Sequence, residues 1–133
     1  MKFFLIIAVF GLLSFGIKNS ESPGILKTVW GNWKGCYGTT SSITDLSINF
    51  APGNTIEFFS NNLNSEGNGT GFYKIIGDTA IVITCSFISN PCESITLKGR
   101  MNKTKTFVDG EWEMMDSSSK GCFYLQKNAA ANN

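Results

Sequence analysis

The stretch Gly31-Asn32-Trp33-Lys34-Gly35-Cys36-Tyr37 decides the fold, because the chain answers it near its other end with Lys120-Gly121-Cys122-Phe123. Each copy sits in an aromatic, alternating run, the period-2 pattern of a strand with one buried face. If these first and last strands lie side by side, the sheet closes on itself. A disulfide between Cys36 and Cys122 would then staple the seam.

Outward from this seam, turn clusters divide the chain into short strands. The pattern predicts strands over 29–37, 44–50, 55–60, 70–76, 79–87, 93–101, 105–115 and 120–127. The breaks between them carry Ala51-Pro52-Gly53-Asn54, an Asn-, Ser- and Gly-rich loop over 60–69, Gly77-Asp78, Ser89-Asn90-Pro91, Asn102-Lys103 and Asp116-Ser117-Ser118-Ser119. Short strands at regular spacing argue for an all-β sandwich or barrel. An immunoglobulin-like sandwich would need Greek-key crossings, and connections this short argue against them. The expected fold is therefore all-β: an antiparallel, eight-stranded, up-and-down β-barrel stapled by disulfides.

Alternation assigns the faces. Gly31, Trp33, Gly35 and Tyr37 share one side of the first strand, with Asn32, Lys34 and Cys36 on the other. The same split puts Leu46, Ile48 and Phe50 inside, then Ile95, Leu97, Gly99 and Met101, then Val108, Gly110, Trp112 and Met114, then Gly121, Phe123 and Leu125. Inward glycines beside aromatic residues suit the sharp bends of a small barrel. Cys36 and Cys122 fall on the outward face, consistent with opposed positions on adjacent strands. The charges place Arg100 opposite Asp109 and Lys98 opposite Glu111 in a hairpin, each pair contributing about 0.2–1 kcal/mol.

The N-terminus points to a compartment. A basic start at Met1-Lys2 and an apolar run from Phe3 to Phe15 lead to small residues at Ser14 and Gly16. That layout is a cleavable secretory signal, and the run is shorter than the roughly 20 residues of a spanning helix. The expected organisation is a signal over 1–16, a lead-in over 17–27, a barrel over 28–127 and a polar tail over 128–133. The mature chain is expected to have no membrane span.

Eleven basic and ten acidic residues give a net charge of +1, without the basic excess of nucleic-acid binders. Four cysteines in a small secreted domain read as two disulfides, with three possible connectivities. Cys36–Cys122 and Cys85–Cys92 are the expected pair. In the chain-entropy model the short Cys85–Cys92 loop contributes about 2–3 kcal/mol and the long one about 4–5 kcal/mol. With no Cys-x-x-Cys and no His, neither a zinc site nor any other metal or cofactor is expected.

The absence of His removes Ser-His and Cys-His nucleophile pairs. Asp109, Glu111 and Glu113 share outward parity and read as a solvated face, not as a glycosidase pair. No enzymatic activity is expected. An eight-stranded barrel either fills with side chains or holds one small ligand. Trp33, Tyr37, Phe58, Tyr73, Met101, Trp112 and Phe123 are the residues that would line such an interior. Asn68-Gly69-Thr70 and Asn102-Lys103-Thr104 are N-glycosylation tripeptides at expected loop or turn positions.

Gly31-Asn32-Trp33 resembles the Gly-x-Trp signature that opens lipocalin barrels, and avidin-like barrels begin similarly. The layout as a whole resembles the calycin group of up-and-down barrels. The resemblance implies a small hydrophobic ligand inside the barrel. It also implies a basic residue packed over the first-strand Trp, for which Lys127 is the candidate. The competing expectation is a filled barrel that binds a protein or glycan through its loops, such as that over 60–69.

Overall fold

Runs of β-branched and aromatic residues alternating with polar ones pair into strands here, since each run can bury one face only against a curved sheet. In a computed structural model, residues 28–60, 67–116 and 119–128 are described. The expected signal over 1–16, the expected lead-in over 17–27 and all of the expected tail but Asn128 lie outside them. The strands are β1 (Gly31–Gly38), β2 (Ile43–Ala51), β3 (Thr55–Ser60), β4 (Gly67–Ile76), β5 (Ala80–Phe87), β6 (Ser94–Met101), β7 (Phe107–Met114) and β8 (Lys120–Lys127). Each pairs antiparallel with its sequence neighbour, and β1 pairs with β8, so the barrel is closed and up-and-down. This architecture is compatible with a calycin-like fold.

Closure leaves no unpaired edge and gives the molecule two ends. The lower end holds residues 28–30, the turns at 52–54 and 77–79, and the loop over 102–106. The upper end holds the connections over 39–42 and 88–93, the turn at 115–116 and the ends of β3 and β4. Gly53 and Asn54 both have positive φ, at 81° and 60°, the left-handed pair that matches the twist of a tight hairpin. At the lower end a helical turn at Thr28-Val29 closes the barrel, with Val29 fully buried. Trp33 Nε1 donates to Val29 O at 2.8 Å. Lys127 is the register partner of Trp33, and its Nζ donates to Thr28 O.

Face assignment by alternation holds throughout the interior. Trp33, Leu46, Ile48, Phe50, Leu97, Met101, Val108, Trp112, Phe123 and Leu125 are all buried. Arg100 faces Asp109, and Lys98 faces Glu111. The inward glycines are sites of close approach. A Cβ on Gly121 would lie 1.9 Å from Gly38 O and 2.8 Å from Trp112 Nε1.

Three expectations need correction. β4 begins at Gly67, so Asn68 and Gly69 belong to a strand and not to the preceding loop; pairing with Phe58 and Phe59 on β3 overrides their turn-forming composition. Lys105 stands before β7 at φ 57°, in the loop. The expected disulfides are not formed: Cys36, Cys85, Cys92 and Cys122 are free thiols. At the seam, Cys36 opposes Tyr124 and Cys122 opposes Gly38, so the two cysteines share a face but stand two residues out of register. Cys85 points into the core while Cys92 is exposed in the connection over 88–93.

Candidate functional site

The seven residues expected to line a cavity are brought together, and what they form is a packed interior. Near the lower end Trp33 meets Phe50 edge-on at 5.7 Å between ring centroids, and Phe50 meets Tyr73 at 5.0 Å. Near the upper end Tyr37 lies 5.3 Å from Trp112 and 6.2 Å from Phe58, and Phe58 lies 5.7 Å from Phe87. All but the tilted Tyr37–Phe58 pair are edge-to-face, an arrangement that adds about 0.5–1.5 kcal/mol per pair beyond the burial of area. Met101 and Phe123 join the same continuous cluster.

Polar groups at the upper mouth are tied to the wall. Tyr37 Oη and Ser60 Oγ share a hydrogen bond of 2.8 Å. Trp112 Nε1 donates to Gly38 O at 3.1 Å. These bonds hold the Tyr37–Trp112 pair across the opening, where it stops the barrel. Relative exposure of Trp33, Phe58, Tyr73, Met101, Trp112 and Phe123 runs only from 0% to 6%. A water-sized sphere therefore reaches almost none of their surface.

The cysteine chemistry follows from position. Burial pushes the Cys85 thiol up to about 12, because a thiolate there would lose its hydration. Cys85 is thus an inert core residue at neutral pH. Alternation from Ile81 and Ile83 carries the signal for its inward position. On the outer wall, a hydrogen bond with Cys36 is the main cause that raises the Tyr124 hydroxyl above its usual value. No group of His, Cys, Asp and Glu among the described residues is placed to hold a metal ion.

No family model, no curated protein and no solved structure matches this chain. The site must therefore be read from its own geometry.

Two concavities lie on the outside of the barrel wall. A groove of about 630 Å³ crosses β6, β7 and β8 and is lined by Lys98, Glu111, Glu113, Lys120 and Cys122 with the edge of Trp112. A second, of about 470 Å³, crosses β1 to β4 and includes Lys34, Asp45, Phe59 and Asn68. The upper rim carries exposed apolar side chains at Ile43, the first residue of β2, at 77%, and at Ile88 after β5 and Met115 after β7, at 65% and 77%. On the wall, Phe107 and Tyr124 stack at 6.0 Å. Sequence reasoning missed Phe59, Asn68 as its neighbour and the rim residues. Their outward parity was readable, but their grouping depends on how four hairpins close.

The two tripeptides differ. Asn68 stands exposed on β4. Asn102 organises the loop over 102–106: its Nδ2 donates to Thr104 Oγ1 at 3.1 Å and Thr106 Oγ1 at 3.0 Å, and its Oδ1 accepts from the backbone N–H of Thr106 at 2.8 Å and Phe107 at 3.1 Å.

Proposed function

We propose that the chain is a secreted, calycin-like binding protein that recognises a partner protein or glycan at its surface, with the barrel as a rigid scaffold. The observation that carries this reading is the filled interior. Ligand cavities run to roughly 300–1,000 Å³, and the aromatic cluster of Trp33, Phe50, Phe58, Tyr73 and Trp112 leaves no comparable space around its members. Recognition then belongs to rims and loops held by the scaffold. Ile43, Ile88 and Met115 at one end supply apolar anchors among Ser, Thr and Asn. Exposed apolar groups rimmed by polar ones are typical of interaction sites. Secretion is supported by the basic-then-apolar layout of residues 1–16. The role is non-catalytic, in keeping with a chain that has no His to activate a nucleophile.

A second reading, a lipocalin-like binder of a small hydrophobic molecule, is favoured by one observation. Trp33, capped by its bond to Val29 O and partnered by Lys127, closes the lower end in the manner the Gly-x-Trp resemblance implies. Ligand entry would require Tyr37 and Trp112 to break their bonds to Ser60 and Gly38. A glycan array and a panel of hydrophobic ligands, each applied to the mature chain and to an Ile43→Asp/Ile88→Asp/Met115→Asp variant, separate the readings. Surface recognition gives array binding that the variant loses and no saturable Trp response to the panel. Saturable quenching by an apolar ligand, unchanged in the variant, would reverse the order of the two readings.

A further inference from the structure

The wall groove across β1 to β4 has an ordered floor. Lys34 is the register partner of Ser47, Ser47 of Phe59, and Phe59 of Asn68. All four have outward parity, so they form one row across four strands, about 14 Å long at the usual strand spacing. Phe59 is the aromatic of the row and is 41% exposed. Asp45 and Ser60 lie in the same concavity. Asn68 ends the row and begins Asn68-Gly69-Thr70, a tripeptide that accepts N-linked sugar.

We propose that Asn68 is an N-glycosylation site and that the first sugar of its glycan lies back along this row, over Phe59. In the transfer, the Asn68 amide nitrogen forms a bond to the anomeric carbon of a lipid-pyrophosphate-linked oligosaccharide. The bond from that carbon to the phosphate oxygen breaks, the amide gives up one proton, and the lipid pyrophosphate leaves. An N-acetylhexosamine has an apolar C–H face and a polar edge. Phe59 offers its ring to the face, while Lys34, Asp45 and Ser47 offer a cation, an anion and a hydroxyl to the edge. The occupant of the groove is thus tethered to the groove's own wall.

Asn102 provides the contrast. Its amide nitrogen lies within hydrogen-bond distance of both the Thr104 and the Thr106 hydroxyl, and its oxygen accepts from two backbone N–H groups of the loop. A sugar on that nitrogen must be accommodated beside both hydroxyls and the backbone that Oδ1 holds, which loosens the loop. A glycan therefore adds stability at Asn68 and removes it at Asn102.

The proposal rests on the secreted reading, so the test separates the two. One arm expresses the chain behind its own residues 1–16 in a eukaryotic host and reports only whether it reaches the medium. The second replaces residues 1–16 with a heterologous secretory leader, which delivers the barrel to the glycosylation machinery in any case. In that arm, N102Q and N68Q each leave one acceptor, and the same polypeptides from bacterial cytoplasm supply unmodified references. Intact mass reads modification and thermal melting reads its effect. N102Q should carry a glycan and melt about 4 °C above its unmodified reference, the shift that one well-packed contact gives a domain of this size. Adding Phe59→Ser should keep the glycan and abolish the gain, measured against unmodified Phe59→Ser. N102Q without a glycan, a gain that survives Phe59→Ser, or an equal gain in N68Q would each overturn the proposal.

Discussion

Truncating Phe58 to Ala tests how tightly the interior is filled. Phe58 is completely buried, its ring 6.2 Å from Tyr37 and 5.7 Å from Phe87. Its register partners are Ile48 on β2 and Gly69 on β4. Gly69 cannot fill the space, since it has no side chain, and Cys85 Sγ lies only 2.6 Å from where its Cβ would stand. The change deletes about 100 Å³ of ring, and at about 24 cal/mol per Å³ the cavity alone costs about 2 kcal/mol. Lost transfer energy raises the total to about 3–5 kcal/mol. Urea unfolding followed by Trp fluorescence should show the midpoint falling by about 2 M with an unchanged slope. Benzene should raise the midpoint of the variant and leave that of the native chain alone, because only the variant has a dry apolar hole. A cost below about 1 kcal/mol would refute this reasoning, since it is outside the range for truncating a well-packed core aromatic.

Other expectations follow from single contacts. Gly121→Ala drives a methyl group into Gly38 O and the Trp112–Gly38 bond at the seam, and should cost about 3 kcal/mol. Gly53→Ala meets nothing within 4 Å and suffers only its φ of 81°, so its cost should be about 1 kcal/mol; thermal melts compare the two. The native state keeps the Cys85 proton up to about pH 12, whereas an unfolded chain releases it near 9.0. Stability should therefore fall across that interval, and Cys85→Val should be less pH-dependent than the native chain in urea midpoints taken at several alkaline pH values. Asn102→Ala removes the bonds that order its loop and should cost about 2 kcal/mol in urea. Asn68→Ala on unglycosylated protein should change stability by less than about 0.5 kcal/mol.

Much of the barrel was legible because alternation is a strong signal when one face meets a core and the other meets water. Trp33, Phe50, Leu97, Trp112 and Phe123 fell inside on parity alone. The register expected from opposite charges, Arg100 against Asp109 and Lys98 against Glu111, is the one that β6 and β7 form. Parity says nothing about position along a seam, however. Closure staggers β8 against β1 so that Cys122 meets Gly38 and Cys36 meets Tyr124, and the expected staple needs a register two residues different. Asn68 and Gly69 read as loop because Asn and Gly favour turns; in the barrel, ladder bonds to two neighbouring strands outweigh that local preference. Whether the inward aromatics enclose a space or fill it depends on ring-to-ring distances across the barrel, such as Tyr37 to Trp112, which no one-dimensional pattern contains.

Xenon bound to crystals under pressure measures the filled interior directly, since the gas enters apolar cavities of ring size. The native barrel should take up no xenon inside its wall, and Phe58→Ala should take up one atom beside Tyr37 and Phe87. An occupied site between Trp33, Tyr73 and Trp112 in the native protein would contradict the filled scaffold and restore the interior as the place of binding.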